Sequence, residues 1–369
     1  MAGDRRAHML GSAPLVAELD SRSAPIGGSE DRGGPAEDAA VDAIAAILQA
    51  SVRNSTLPGG VARRDAHPKH HAIVRAEFRV ATNLPAELRH GVFAEPRTFP
   101  AWIRLSNGSP RVQPDRKRDQ RGFAIKLLDV PGRKMLPDEA EAMTQDFVLA
   151  SYPRFFIRSV ADYVAFTRAA ATRRAPPLFS FFFQGPPWRW RIHELRALLG
   201  SLQPATDLLE MRYWSQTPYR LGPHAVKYSV RPFERGAMPP APEDRSPDFL
   251  RARLAARLAQ GPARLGFFVQ RRTDPAAMPI EDATVEWNEA DAPFVPVATI
   301  DIPAQRFDSP PQMALAEHIA FTPWHTRPEH EPLGGVNRTR RTVYRVVSQL
   351  RSDLNGVVRR EPVSLDLDG

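Results

Sequence analysis

Between residues 66 and 303 the chain breaks into short runs whose apolar residues recur at every second position, separated by Pro and Gly. Seven runs stand out: 72–81 (AIVRAEFRVA), 101–108 (AWIRLSNG), 122–130 (GFAIKLLDV), 146–152 (DFVLASY), 225–232 (AVKYSVRP), 265–272 (LGFFVQRR) and 294–302 (FVPVATIDI). Each reads as a β-strand, because a pleated strand sends successive side chains to opposite faces. Strands in this number with turn signals between them predict a barrel or a sandwich. Helical periodicity interrupts the run near 160–172, 190–202 and 247–259, a short helix is expected at 42–51, and a last one spans 338–354. For that last helix Asn337 is a candidate N-cap and Asn355-Gly356 supply a left-handed stop. No internal repeat stands out.

Composition narrows the chemistry. The 369 residues include 37 prolines, which favours many loops, and no cysteine. Without cysteine there are no disulfides, no thiolate catalysis, no Cys-ligated zinc and no iron–sulfur cluster. The formal charge is +8, carried by 50 basic residues spread along the chain rather than clustered, a poor signature for nucleic acid. No apolar run is long enough for a signal peptide or a membrane span, so a cytoplasmic protein is expected. Residues 1–40 are Gly-, Ala- and Ser-rich, acidic and without periodicity, and are expected to be a disordered tail ahead of a single domain at 41–369.

The strand faces place some polar groups together. Alternation puts Ala72, Val74, Ala76, Phe78 and Val80 on one face and leaves His71, Arg75, Glu77 and Arg79 on the other. Arg104 and Ser106 share a face opposite Ile103 and Leu105, so a cation and a hydroxyl stand ready for an anionic ligand and a neighbouring imidazole. In the last helix Arg340, Tyr344 and Arg351 lie within about 40° of one another at 100° per residue. Two flanking guanidiniums favour the ionised phenol, the form that ligates ferric iron; the same stripe also suits a solvated or packing face.

Eight segments in order resemble the haem catalases, in particular their shorter catalase-like branch. His71-Ala72 is similar to the family's distal histidine strand, Arg104-Leu-Ser106 to its Arg-Phe-Ser motif, and Arg118-Asp-Gln-Arg-Gly-Phe-Ala-Ile-Lys126 to Arg-Asp-Pro-Arg-Gly-Phe-Ala-Val-Lys. Ser151-Tyr-Pro-Arg-Phe-Phe-Ile-Arg158 resembles Asn-Thr-Pro-x-Phe-Phe-Ile-Arg, and Gly222-Pro-His-Ala-Val-Lys227 resembles Gly-Ser-His-Thr-Phe-Lys. Pro293-Phe-Val-Pro-Val297 and Ile319-Ala-Phe-Thr-Pro323 follow, and Arg340, Tyr344 and Arg351 reproduce the family's Arg-x3-Tyr-x6-Arg spacing.

The resemblance implies an α+β fold: a catalase-type antiparallel β-barrel at about 66–303, a wrapping segment, and a proximal helix ending near 356. It implies haem b (iron protoporphyrin IX), with Tyr344 as axial iron ligand, Arg340 as its charge partner, and Arg104 and Arg351 at the propionates. Phe156, with Phe155 and Phe166, would flank the porphyrin. His71 would be the distal acid–base and Ser106 would orient its imidazole. Ser151 falls where catalases carry an asparagine, and Pro68 where they carry an arginine three residues before the histidine. The implied activity is a catalase/peroxidase-like reaction with hydrogen peroxide or an organic hydroperoxide. An organic hydroperoxide isomerase or lyase and a non-catalytic haem-binding protein are the alternatives. A homo-oligomer is the only macromolecular partner expected. The absence of cysteine suits a protein exposed to peroxide.

Overall fold

The computed structural model describes residues 33–171, 177–233 and 246–367. The seven alternating runs all become strands: β1 (His70–Val80), β2 (Thr98–Asn107), β3 (Arg121–Leu127), β4 (Gln145–Ala150), β7 (His224–Arg231), β8 (Ala263–Arg271) and β9 (Phe294–Ile302). Two short strands, β5 (Tyr213–Trp214) and β6 (Tyr219–Leu221), complete the sheet. All pairings are antiparallel in the order β5-β4-β3-β2-β1-β9-β8-β7-β6, and β5 also pairs with β7. That last pairing closes an eight-stranded barrel, with β6 appended to β7.

Period-2 alternation fills the barrel. Phe78, Phe123, Phe147, Phe267 and Tyr228 point inward and are buried. Phe78, Phe147 and Phe267 stack with Phe93 at centroid separations of 4.9–6.3 Å, a geometry in which aromatic pairs add to simple area burial. His330 is set into this core, its Nδ1 2.9 Å from Tyr228 Oη and its Nε2 accepting from the Val92 N–H at 2.9 Å.

Helices pack outside. They are α1 (Pro35–Ser55), α2 (Val160–Ala171), α3 (Pro177–Phe182), α4 (Ile192–Ser201), α5 (Phe249–Gln260), α6 (Pro310–His318) and α7 (Gly335–Asn355). α1 lies on α2 and α7 through Val41, Ile44, Val160, Val164, Val343 and Val347. This corrects the expectation for the N-terminal segment: residues 35–40 are helical, whereas 1–32 lie outside the described residues. Pro35 occupies the first turn with Glu37 and Asp38, which suit the positive end of a helix, and Glu37 binds Arg338 of α7 at 2.6 Å.

α7 starts earlier than its pattern suggests, capped by Gly334 rather than Asn337. The Asn337 amide is used inside the protein, donating to Pro218 O and Leu333 O and accepting from Thr217 Oγ1. The expected stop is observed: Gly356 is left-handed at φ 62° and its N–H returns to Ser352 O and Asp353 O.

Burial holds His330 at a pKa of about 3, and burial, followed by the Lys126 charge, holds His325 at about 4. Unfolded, both protonate near pH 6.5. The unfolded chain therefore binds more protons below that pH, and the stability present above about pH 6.5 is lost as pH falls toward about 4. The urea midpoint is expected to drop between pH 7 and 5, with a shallower drop in His330→Gln. A midpoint flat over that interval contradicts neutral burial of these rings.

Candidate functional site

Ser106 stands on the outer face of β2, and the imidazole it meets is His67, not His71. Ser106 Oγ lies 3.0 Å from His67 Nδ1. The expected pairing of Ser106 with His71 fails because β1 carries a bulge at its start. His70 is opposite Ser106 while Ala72 is opposite Leu105, so His71 is an extra residue in the ladder. A bulge re-aims the side chain it carries. The freed carbonyls of His70 and His71 are taken by Arg251 at 2.8 and 3.1 Å. His71 turns to the face of Asn107, its Nε2 2.6 Å from Asn107 Oδ1, in a buried polar group with Arg121 and Asp115.

His67 sits in the left-handed region at φ 58°, rare for a residue with a Cβ and costing about 1–3 kcal/mol where the surroundings enforce it. Its imidazole lies against Gly122, where a Cβ would fall 2.6 Å from Nδ1 and 2.7 Å from Ser106 Oγ. Only glycine at the start of β3 leaves room for this pair. Gly122→Ala is accordingly expected to cost about 1–3 kcal/mol through overpacking, read from denaturant midpoints; an unchanged midpoint contradicts the close approach. Burial, then the charges of Arg104, Arg64 and Arg340, holds the His67 pKa down to about 3, so the ring is neutral at ordinary pH.

Beside this histidine three arginines converge on the end of α6. Arg104 donates to Ala316 O and His67 O at 3.0 and 2.9 Å, Arg64 to Glu317 O at 2.9 Å, and Arg351 to Glu317 O at 2.7 Å. Their partners are thus mainly carbonyls. Glu317 is the shared carboxylate, 3.8 Å from Arg64, 3.6 Å from Arg351 and 3.5 Å from His70. Burial opposes ionisation of Glu317, yet the His70 hydrogen bond and the two arginines outweigh it and hold its carboxyl below the usual range. Burial and mutual repulsion lower the pKa of Arg64 and Arg104, and the Nε of Arg351 is buried without a partner. Asp65 also acts on Arg64 and Arg351, so three guanidiniums share two carboxylates and the cluster is one anion short.

α7 carries the other candidate groups. Arg340 is buried, donating to Thr217 Oγ1 at 3.1 Å and Asn337 Oδ1 at 3.3 Å, with its guanidinium 5.2 Å from the Phe155 ring centroid. Tyr344, one turn on, is half-buried. Tyr163 and Tyr219 both feel the Arg340 and Tyr344 groups; burial dominates each, pushing Tyr219 up to about 12. Phe156 packs against Phe155 at 5.0 Å and edge-on to Phe166 at 4.9 Å. Arg340 acts electrostatically on His67, Tyr163 and Tyr219, which links α7 to the histidine.

Ser151, at the end of β4, is buried, and its Oγ accepts the Arg121 N–H at 2.8 Å. Arg64 and His67 are the site residues that the strand-face reading missed, although an arginine three positions before a histidine is visible as Arg64-Asp-Ala-His67. Among the described residues Glu139, His325 and Glu361 bring ligand atoms within 4.8 Å of one another. Arg359 pairs with Glu139 and Lys126 pairs with Glu361 at 2.6 Å, so the chain's own cations already satisfy these carboxylates. No described helix is long and apolar enough to cross a membrane.

No protein-family model and no curated protein matches this sequence. The fold does match solved structures. Catalase A from Saccharomyces cerevisiae superposes with a TM-score of 0.62 at 19% identity, covering 82% of this chain and 63% of that one. A fungal catalase gives 0.64 at 18%, covering 95% and 70%, and a bacterial catalase gives 0.61 at 18%, covering 90% and 64%. The chain thus has the catalase fold while spanning 63–70% of the length of these catalases.

Proposed function

We propose that this chain uses the catalase fold to hold haem b and to metabolise hydrogen peroxide or an organic hydroperoxide, with His67 as the distal acid–base. The observation that carries the reading is the buried cluster of Arg64, Arg104 and Arg351, short of anions and adjoining the His67–Ser106 pair. Two carboxylates on one ligand suit such a cluster, because Arg binds carboxylates in a fixed fork. Tyr344, half-buried on α7 one turn after Arg340, offers a phenol oxygen as the iron ligand. Phe155 and Phe156 offer flat apolar surface beside Arg340. The residues present therefore fit haem: Tyr344 would ligate the iron and the three arginines would hold the propionates.

When bound, the haem would supply the redox chemistry, its iron and porphyrin together giving the two electrons that the O–O bond takes up as it breaks. The remaining work falls to the chain. With Nδ1–H donating to Ser106 Oγ, the His67 ring is fixed and Nε2 carries a lone pair. That nitrogen takes the proton from the inner peroxide oxygen and returns it to the departing oxygen, which leaves as water or an alcohol. A ring kept neutral down to about pH 3 is competent as a base throughout the physiological range. Gly122 and the Ser106 hydroxyl prevent it from rotating away.

The Ser151 oxygen accepts a backbone N–H and is shorter than an amide, so it offers less to a second peroxide oxygen than an asparagine would. This favours organic hydroperoxides as competing substrates. The haem-loaded protein is expected to evolve oxygen from hydrogen peroxide. Consumption of an organic hydroperoxide without any oxygen evolution from hydrogen peroxide would favour the isomerase or lyase reading, and inertness to both would overturn an enzymatic role.

A further inference from the structure

The segment after α2 carries a feature that the haem reading leaves unused. Trp188 is 83% exposed, Phe179 59% and Trp190 40%. They form a supported surface: Phe179 packs on Phe183 at 4.6 Å, Phe183 meets Trp190 edge-on at 5.2 Å, and the Trp190 indole N–H donates to Gly185 O at 3.1 Å. Phe179, Phe183 and Trp190 are braced by these contacts, and Trp188 stands out beside them. Exposed aromatic surface of this kind marks a binding face.

The chain on either side of it is rich in arginine. From 158 to 201 the sequence has seven arginines and two carboxylates. Both carboxylates are engaged within the fold, Asp162 by Arg191 at 3.1 Å and Glu194 by Arg158 at 3.1 Å. Arg168, Arg189 and Arg196 are exposed and have no ion-pair partner among the described residues. A second copy docking here through a two-fold axis would oppose like charges. A soluble polyanion would satisfy the arginines but leave the rings in water. An anionic bilayer takes both, since indole and phenyl rings settle at the headgroup–acyl boundary while arginine pairs with the phosphates.

We propose that the Phe179–Trp190 face is a peripheral docking surface for anionic lipid bilayers. The test uses the full chain, sedimented with phosphatidylcholine vesicles with and without phosphatidylglycerol, and its tryptophan emission. The expected result is association with the anionic vesicles only, a blue-shifted emission, and weakening by salt, because surface charge is screened. Each charge near an anionic leaflet changes partitioning about fivefold, so Arg189→Glu should lose about thirtyfold. Trp188→Ala should lose part of the blue shift and part of the binding, and both positions are exposed, so circular dichroism should be unchanged. Equal binding to neutral vesicles, no binding to either, or full binding by both variants would overturn the proposal. Binding to soluble polyglutamate without vesicle association would also overturn it, in favour of an acidic protein partner.

Discussion

Haem-loaded His67→Ala is expected to react with peroxide about 10²–10⁴-fold more slowly than the parent, the contribution of a positioned acid–base group. The arginine cluster and Tyr344 are untouched by this change, so haem should still bind. The loss should appear in the second-order rate constant from stopped-flow absorbance, not in haem content. Its control is His71→Gln. That ring is buried on the face of Asn107, so the substitution should cost about 0.5–1.5 kcal/mol of stability for a disturbed hydrogen bond and leave the rate constant near that of the parent. A loss confined to the His71 variant would return the acid–base role to the bulged residue.

Tyr344→Phe is the second large effect. Phenylalanine keeps the volume and the ring, so stability should change by less than about 1.5 kcal/mol, but the phenol oxygen that would meet the iron is removed. Haem affinity is expected to fall at least about tenfold, the effect usual for disturbing a metal's ligand support, and the visible bands of a phenolate-ligated ferric haem should vanish. Peroxide turnover should go with them. An unchanged ferric spectrum in this variant would remove Tyr344 as the ligand.

What the residues alone could reveal followed from regular geometry. The long strands were legible because period-2 alternation survives burial on either face, whereas β5 and β6, two and three residues long, are too short to show a period. Spacing also put Arg104 with Ser106 on one strand face and Arg340, Tyr344 and Arg351 on one helix stripe, and the structure brings Arg104, Ser106 and Arg351 to one place. His67 was not, since alternation assumes an unbroken ladder and a bulge inserts a residue that no pattern announces. Arg64, three residues ahead of it, was the available clue. Asn337 was misassigned because a residue suited to capping an exposed helix start serves equally as a buried amide satisfying several partners. The early start of α1 depends on packing against α2 and α7, which composition does not record.

On the proposed function, the Arg64, Arg104 and Arg351 cluster and Tyr344 together form a haem site. Titrating the purified protein with hemin, followed by absorbance in the Soret and visible regions, tests it most directly. A sharp endpoint at one haem per chain, with a phenolate-ligated ferric spectrum, is the predicted result; a linear rise without an endpoint, matching hemin in buffer, would contradict it.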